Sequence, residues 1–390
     1  MTNQFDFDSV VDRRLSGSYK WDDHEDDPSD MIQLWVADMD FRTAPCVISA
    51  LEKRVQHGVF GYTYVPDEYY AAVINWFSSQ HGYDIKREQI IYTSGVVPAL
   101  SAIIKALTVP GDGVILNTPA YNCFFSSIRN NGCRLVESPL SRINLPDGKF
   151  TYEIDYDQLE ALAAQAENKL FILCNPHNPS GRVWSEEELR RIADICHRNG
   201  VRVISDEIHC ELTMPGYEYL PYGIIDHEAV ICNSPSKAFN TAGLQIANII
   251  CPDRETKEKI DRAININEVC DVNPFGVAGL IAAYNQGLSW LTELKSYLAG
   301  NYALLTDFFE KHLPEYPVSK LEATYLAWID ITSSGLKSEE IEQLLRDKAH
   351  VRVNSGLIYG DDNFIRINFA LPRQRLLDAL TRIEPLLSAL

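Results

Sequence analysis

The chain lacks the sequence features that mark secreted, membrane-spanning and nucleic-acid-binding proteins. None of its nine cysteines forms a C-x-x-C pair, and several lie in apolar runs, as Cys174 does. We therefore expect buried free thiols in a reducing cytoplasm. No apolar run reaches about 18 residues, so no transmembrane helix is expected. The N-terminus has neither a basic start nor an apolar core, and we expect no secretory signal there.

Positive charge is also scarce. The 390 residues include 35 Lys and Arg against 54 Asp and Glu, which gives a net charge of −19 and no run of basic residues. This balance argues against binding to nucleic acid or to an anionic membrane. The acidic stretch at residues 22–28 is typical of a solvated loop, and we predict no metal site.

The hydrophobic content of 46% is ample for a large core, and the length predicts two or three domains. From residue 89 onward, short apolar strands alternate with amphipathic helices. The predicted strands span residues 89–93, 114–117, 170–175, 201–205, 229–233 and 245–251. The predicted helices span 97–107 and 122–131, and a third begins after Ser185, which forms a capping box with Glu188. This alternation predicts an α/β fold with a mainly parallel sheet between helix layers.

The pattern changes after residue 273. Predicted helices at 289–312 and 338–348 alternate with predicted strands at 323–331, 351–353 and 364–369, which indicates a smaller α+β domain. We predict three parts: an N-terminal arm with part of the small domain (1–45), a large domain (46–288) and the small domain (289–390).

The most informative residue is Lys237, which lies in the stretch Asn-Ser-Pro-Ser-Lys-Ala-Phe-Asn at 233–240. A lysine among small hydroxyl residues after an apolar run can form a Schiff base with an aldehyde cofactor. Asp206 ends an earlier predicted strand, and ligands gather at the carboxyl ends of parallel strands. A carboxylate there can keep a pyridine nitrogen protonated. These parts predict a pyridoxal 5′-phosphate site; a surface lysine and a helix-capping aspartate are the alternatives.

Two strand-to-helix turns supply further candidates. In Asn-Pro-His-Asn-Pro-Ser-Gly-Arg at 175–182, the Asn178 amide can donate to the phenolate oxygen of the cofactor. A proline-rich strand-to-helix turn is the structural alternative, but such a turn does not require two Asn-Pro steps and a glycine, so a functional role is favoured. The turn at 93–97 precedes a predicted helix, whose free N–H groups suit a phosphate. Ser234 and Ser236 would be donors on the second side of that phosphate.

Tyr121 and Arg366 complete the set. Tyr121 follows a strand end and could stack on the pyridine ring or pack in the core. Arg366 lies within an apolar strand, where an unpaired charge is unfavourable. A substrate carboxylate held by two hydrogen bonds is a good partner for it, and a structural salt bridge is the alternative.

At these residues the chain resembles the fold-type I, aspartate-aminotransferase-like superfamily over nearly its whole length. This resemblance implies that the mainly parallel sheet of the large domain has seven strands. Within it, the chain is similar to the MalY/PatB-type C–S β-lyases, often called cystathionine β-lyases. The block Leu-Trp-Val-Ala-Asp-Met-Asp-Phe at 34–41 is the most specific piece. The other matching stretches are Gly61-Tyr62, residues 118–121, residues 175–182, residues 203–209 and residues 236–240.

The resemblance implies roles for individual residues. The catalytic set is Lys237, Tyr62 and Tyr121. The cofactor-binding set is Lys237, Asp206, Asn178, His209, Tyr121, Val96, Val97, Ser234, Ser236 and Tyr62. The substrate-binding set is Arg366, Trp35 and Ala37. Tyr62 would reach the phosphate of a neighbouring subunit, so a homodimer is implied. His209 stands where aminotransferases commonly have a tyrosine, and Gln245 stands where many have a phosphate-binding arginine.

The implied activity is cleavage of L-cystathionine or related cysteine S-conjugates to a thiol (homocysteine from cystathionine), pyruvate and ammonia, in the cytoplasm. A class I/II aminotransferase is the alternative, since it shares the proton abstraction. A regulatory protein that binds a partner through its surface is a third interpretation.

Overall fold

The computed structural model describes residues 4–24, 27–268 and 271–390. Three parts named in the sequence analysis therefore lie outside the described residues: Cys270, part of the acidic stretch at 22–28, and the first residues of the chain. The helices are α1 Tyr19–Asp22, α2 Pro45–His57, α3 Asp67–His81, α4 Val96–Leu107, α5 Asn122–Asn130, α6 Tyr156–Ala163, α7 Glu186–Asn199, α8 Tyr222–Ile225, α9 Arg254–Asn265, α10 Pro274–Gln286, α11 Leu288–His312, α12 Ser338–Leu344 and α13 Arg373–Leu387. The strands are β1 Ile32–Gln33, β2 Ile90–Thr93, β3 Gly113–Thr118, β4 Arg134–Pro139, β5 Ser141–Asn144, β6 Phe150–Glu153, β7 Asn168–Cys174, β8 Arg202–Asp206, β9 Val230–Asn233, β10 Ala247–Ile250, β11 Leu326–Asp330, β12 Val351–Arg352, β13 Asn354–Ser355 and β14 Phe364–Asn368.

A seven-stranded sheet forms the centre of the molecule, in the order β2-β10-β9-β8-β7-β3-β4. Strand β10 is antiparallel to both of its neighbours, whereas the pairs from β9 to β4 are parallel. The prediction of a mainly parallel seven-stranded sheet is confirmed. Because consecutive side chains of a strand point to opposite faces, Val203 packs into one apolar core and Ile204 into the other. Both faces are covered, as the unbroken apolar runs predict.

Helix α7 shows how the local sequence sets the position of the site. The Ser185 side chain accepts from the Glu188 N–H, and the Glu188 carboxylate accepts from the Ser185 N–H, which is the predicted capping box. Gly200 ends the helix at a φ of 68°, a left-handed conformation that favours glycine. The chain then enters β8 directly and delivers Asp206 at its carboxyl end.

The C-terminal part contains a three-stranded antiparallel sheet in the order β11-β14-β13, with Arg366 on the central strand. Strand β1 of the N-terminal arm pairs in parallel with β12, so the arm packs against this C-terminal part. The predicted helix at 338–348 is α-helical only to Leu344 and continues as a π-helical turn.

The cysteines of the described residues are free. Cys46 and Cys123 are half-buried, and the others are buried: Cys133, Cys174, Cys196, Cys210, Cys232 and Cys251. Among the described residues, the helices are all too short or too polar to cross a membrane.

Candidate active site

One cavity opens at the carboxyl ends of the central strands, where the turns after β2, β7, β8 and β9 meet. Side chains far apart in the sequence converge there because parallel strands end at the same edge of a sheet. The predicted residues that line the cavity are Ala37, Val96, Val97, Tyr121, Asn178, Asp206, His209, Ser236, Lys237 and Gln245.

Lys237 is the cationic side chain of this cavity. Its Nζ donates to the Ala37 carbonyl oxygen at 2.8 Å. Burial and, to a smaller extent, the nearby Arg366 guanidinium lower the pKa of Lys237 to about 8, while Asp38 and Asp206 act in the opposite direction. The amine is therefore neutral in a larger fraction of molecules near pH 8 than an ordinary lysine, which suits a base.

Asp206 is buried at the end of β8. It accepts a hydrogen bond from the Ile208 N–H at 3.1 Å and forms no salt bridge with any of the described residues. Burial raises the pKa of Asp206 to about 7, and the Ile208 N–H and the nearby charge of Lys237 offset this effect only in part, because the carboxylate lacks a directly bonded cationic partner within the described part of the chain. A protonated ring nitrogen in the cavity would supply that partner.

The two phosphate-side serines differ in position. Ser236 lines the cavity together with the first residues of α4, whose N–H groups have no intrahelical acceptors. Ser234 is buried behind the cavity, where its hydroxyl donates to the Ile246 carbonyl at 2.7 Å and accepts from the Ser236 N–H at 3.1 Å. Ser234 therefore shapes the turn that presents Ser236. Gln245 lines the cavity, and none of the other lining residues within the described part of the chain is an arginine.

Arg366 is buried near the cavity. Its Nη1 donates to Asn178 Oδ1 at 3.2 Å and its Nη2 to the Trp35 carbonyl at 3.0 Å. The guanidinium lies 4.6 Å from the centre of the Tyr359 ring. Within the described part of the chain its Nε has no hydrogen-bond partner. Within the residues that the structure describes, Arg366 forms no salt bridge: its contacts are with neutral groups, and one buried donor is left without a partner.

His209 and Tyr121 face the same cavity. Burial holds the pKa of His209 well below its usual value, and Lys237 and Arg366 add to this effect, so the ring is neutral. In the described structure its Nδ1 is buried without a partner. Burial raises the pKa of Tyr121, whose hydroxyl stays protonated. Its ring contacts the Phe124 edge at 5.6 Å between centroids.

Besides Ser234 and Arg366, two more predicted residues, Trp35 and Tyr62, lie outside the cavity lining. The Trp35 ring packs on the Arg352 guanidinium, at 3.7 Å from the ring centre, and its carbonyl rather than its ring meets Arg366. Tyr62 lies between α2 and α3 and is fully exposed, at 100%. Its predicted role depends on a second subunit.

The sequence interpretation missed side chains that hold the 35–41 segment over Lys237. Tyr325 donates to the Ala37 carbonyl at 2.9 Å. Asn368 donates to the Val36 and Asp38 carbonyls, and Asn240 bonds the backbone of Met39 and Phe41. Of these three side chains, only Asn240 could have been found from the sequence, because it lies in the lysine motif at 233–240. Tyr325 and Asn368 contact the segment from distant positions in the chain, which no local pattern reveals.

The chain is similar to known proteins over nearly its whole length. A model of the family described as aminotransferase class I and II matches residues 29–383. The chain belongs to this family. It is 37% identical to the cystathionine beta-lyase PatB of Bacillus subtilis over 98% of this chain and 100% of that one. It is 34% identical to the protein MalY of Escherichia coli over 95% of this chain and 96% of that protein. The predicted resemblance to the MalY/PatB group is thereby confirmed.

The fold is also shared with a solved structure. Cystalysin from Treponema denticola, described as containing a pyridoxal 5′-phosphate cofactor, superposes with a TM-score of 0.94. It is 34% identical and the match covers 99% of both chains. The predicted fold class is confirmed by this match and by the sheet topology.

Proposed function

We propose that this chain is a pyridoxal-phosphate-dependent C–S β-lyase that cleaves L-cystathionine or related cysteine S-conjugates to a thiol, pyruvate and ammonia. The observation that carries the proposal is the meeting of the Lys237 amine and the buried Asp206 carboxyl in one cavity. Membership of the group that contains PatB, named as a cystathionine β-lyase, supports the reaction type.

The donors and acceptors of the cavity fit the cofactor. Asp206 would pair with the ring nitrogen, Asn178 and His209 would face the phenolate oxygen, and Tyr121 would cover the ring. The phosphate would lie at the start of α4 with Ser236, where Val96 and Val97 offer N–H groups. Lys237 would hold the aldehyde carbon. When bound, the cofactor supplies an electron-withdrawing ring that accommodates the charge left when the Cα proton is removed.

The residues of the chain would then do three things. Arg366 would bind the substrate carboxylate through the donor that is unpartnered in the described structure. Lys237, once the substrate amine has released it from the aldehyde carbon, would take the proton from Cα in its neutral form. The Ala37 carbonyl would accept a hydrogen bond from the resulting ammonium, as it does in the structure.

An aminotransferase remains the second candidate because the family description includes that activity. It uses the same proton abstraction by Lys237, and the two reactions diverge after that step. An aminotransferase needs a 2-oxo acid as acceptor, whereas a β-lyase releases a thiol and pyruvate without one.

The assembly and location complete the proposal. We propose a homodimer in which Tyr62 of one subunit reaches the phosphate site of the other, supported by the full exposure of this side chain. A cytoplasmic location is supported by the free cysteines. The division at residues 45 and 288 is proposed for the domains, with the central sheet in the large one.

The test is a Lys237→Ala variant assayed with L-cystathionine and no 2-oxo acid. We expect the wild-type protein to release thiol and pyruvate and the variant to lose both turnover and the visible absorbance of the lysine-bound cofactor. Lys295→Ala is the matched control, because Lys295 is also partly buried but bonds Thr213 outside the cavity lining. Full activity in the Lys237 variant would reject the proposal.

A further inference from the structure

The Ala37 carbonyl oxygen accepts from two side chains of different parts of the molecule. Lys237 Nζ donates at 2.8 Å and the Tyr325 hydroxyl at 2.9 Å. A backbone carbonyl has two lone pairs, so both donors can bind it together. Tyr325 is 0% exposed, so its hydroxyl has no access to bulk water in place of this carbonyl.

We propose that Tyr325 is a positioning residue for Lys237, because its hydroxyl fixes the direction of the carbonyl that receives the lysine amine. The functional consequence rests on the proposed role of Lys237 as the base, whereas the positioning itself is a property of the chain without cofactor.

The surrounding contacts leave the carbonyl little freedom. Asn368 Nδ2 donates to the carbonyls on either side, Val36 at 2.5 Å and Asp38 at 2.7 Å. Asn240, three residues after Lys237, accepts from the Met39 N–H at 2.9 Å and donates to the Met39 carbonyl at 2.8 Å. These two amides fix the path of the segment, and Tyr325 bonds the one carbonyl that Lys237 uses.

Tyr325 connects this carbonyl to the C-terminal sheet. It directly precedes β11, and its own carbonyl accepts from the Phe369 N–H at 3.0 Å, just after β14. Burial raises the pKa of Tyr325, so the hydroxyl remains a donor at neutral pH. The position of Lys237 therefore depends on the same sheet that carries Arg366.

The charged and titratable groups that face Lys237 are Arg366, Asp38, Asp206, Cys123 and His209. A Tyr325→Phe variant keeps all five and keeps the aromatic ring, whose centre lies 6.4 Å from the His209 ring. A change in Lys237 titration in this variant would report the loss of the oriented carbonyl.

The experiment measures Lys237 labelling by trinitrobenzenesulfonate against pH in the full-length protein freed of cofactor, quantified by peptide mass spectrometry. We expect the midpoint, about 8 in the wild type, to fall by roughly half a unit to one unit in Tyr325→Phe. The ammonium loses part of a hydrogen bond that favours its charged form. In the cofactor-loaded enzyme, kcat should fall about 5- to 10-fold, the equivalent of one ordinary hydrogen bond, with KM within about twofold.

Tyr316→Phe is the matched control, because Tyr316 is equally buried and its hydroxyl donates to the Leu387 carbonyl at 3.0 Å, away from the cavity. An unchanged labelling midpoint in Tyr325→Phe, or an equal change in Tyr316→Phe, would overturn the proposal. The proposal would also be overturned if Tyr325→Phe unfolded at a much lower temperature than Tyr316→Phe, because the Tyr325 hydroxyl would then stabilise the fold as a whole. A shifted midpoint without lyase activity in the wild type would keep the positioning role and reject the proposed function.

Discussion

At the scale of single residues, two adjacent carboxyls at the end of β8 behave differently. Burial raises the pKa of both Asp206 and Glu207 to about 7. Glu207 is satisfied by the Tyr222 N–H and by the hydroxyls of Tyr219 and Ser205. Asp206 points to the opposite side, as alternation along a strand requires, and faces the cavity. Its position in the sequence was sufficient to choose it, because a strand end was predicted there.

The first prediction concerns the stability of the cofactor-free protein. A carboxyl whose folded pKa is raised destabilises the fold as pH rises from its unfolded pKa, near 3.8, to its folded pKa of about 7. Asp206→Asn removes this penalty. The free energy of unfolding of the variant minus that of the wild type should therefore increase by about 2–3 kcal/mol from pH 5 to pH 8. Denaturant unfolding of both cofactor-free proteins at the two pH values measures it; a pH-independent difference would contradict it.

The second prediction concerns substrate binding. Arg366→Lys keeps the charge but loses the planar pair of donors, and the Asn178 and Trp35 contacts cannot both be kept. We expect KM for the amino-acid substrate to rise by about 10- to 100-fold, which corresponds to about 1.5–3 kcal/mol for charge-assisted hydrogen bonds. Steady-state kinetics test this. Arg142→Lys, whose partner Asp330 lies outside the cavity lining, is the control. Equal KM values in the two variants would be evidence against a carboxylate contact.

At the scale of elements, the predictable part of the fold is the part with strong local patterns. The strands β3, β7, β8 and β9 are apolar on both faces, and their positions agree with prediction within two residues. The strands β4 and β5 were missed because most of their residues are polar or partly exposed, and β6 was missed because it has only four residues, of which Phe150 and Tyr152 are buried. Their pairing depends on neighbours rather than on their own periodicity.

Helix α7 gives the prediction at this scale. Ser185→Ala removes one half of the capping box, and we expect a loss of about 1 kcal/mol in stability. The cap lies outside the cavity lining, so kcat and KM should stay within error of the wild type. Thermal unfolding measures the loss of stability, and steady-state assays test that kcat and KM are unchanged. Ser388→Ala is the control, because Ser388 caps the end of α13 through its backbone N–H, which the substitution keeps, and not through its side chain. A large fall in kcat would mean that α7 affects the site directly.

At the scale of the whole molecule, the sequence indicated the reacting groups but not what holds them. Lys237, Asp206 and Asn178 could be predicted because each follows an apolar strand, and such ends meet at one sheet edge. Tyr325 and Asn368 could not, because they reach the 35–41 segment from about 290 and 330 positions away in the chain. Packing of the C-terminal sheet, rather than any local pattern, brings them there.

The exposed apolar loop between α2 and α3 yields the prediction about assembly. Val59, Phe60, Tyr62 and Tyr64 are exposed by 63%, 55%, 100% and 77%. Contiguous exposed apolar groups of this kind mark interaction surfaces. We expect Phe60→Asp to produce monomers with little activity, as judged by sedimentation velocity and turnover. Val109→Asp, at a site 65% exposed elsewhere, should remain a dimer. An active Phe60→Asp monomer would refute the shared active site.

The most direct measurement is product analysis after incubation of the purified protein with L-cystathionine and pyridoxal phosphate, with and without an added 2-oxo acid. A C–S β-lyase built on Lys237 and Asp206 should release homocysteine and pyruvate in equal amounts, at a rate that the 2-oxo acid does not change. Absence of free thiol, together with amino-group transfer that depends on the 2-oxo acid, would contradict the lyase assignment and establish an aminotransferase.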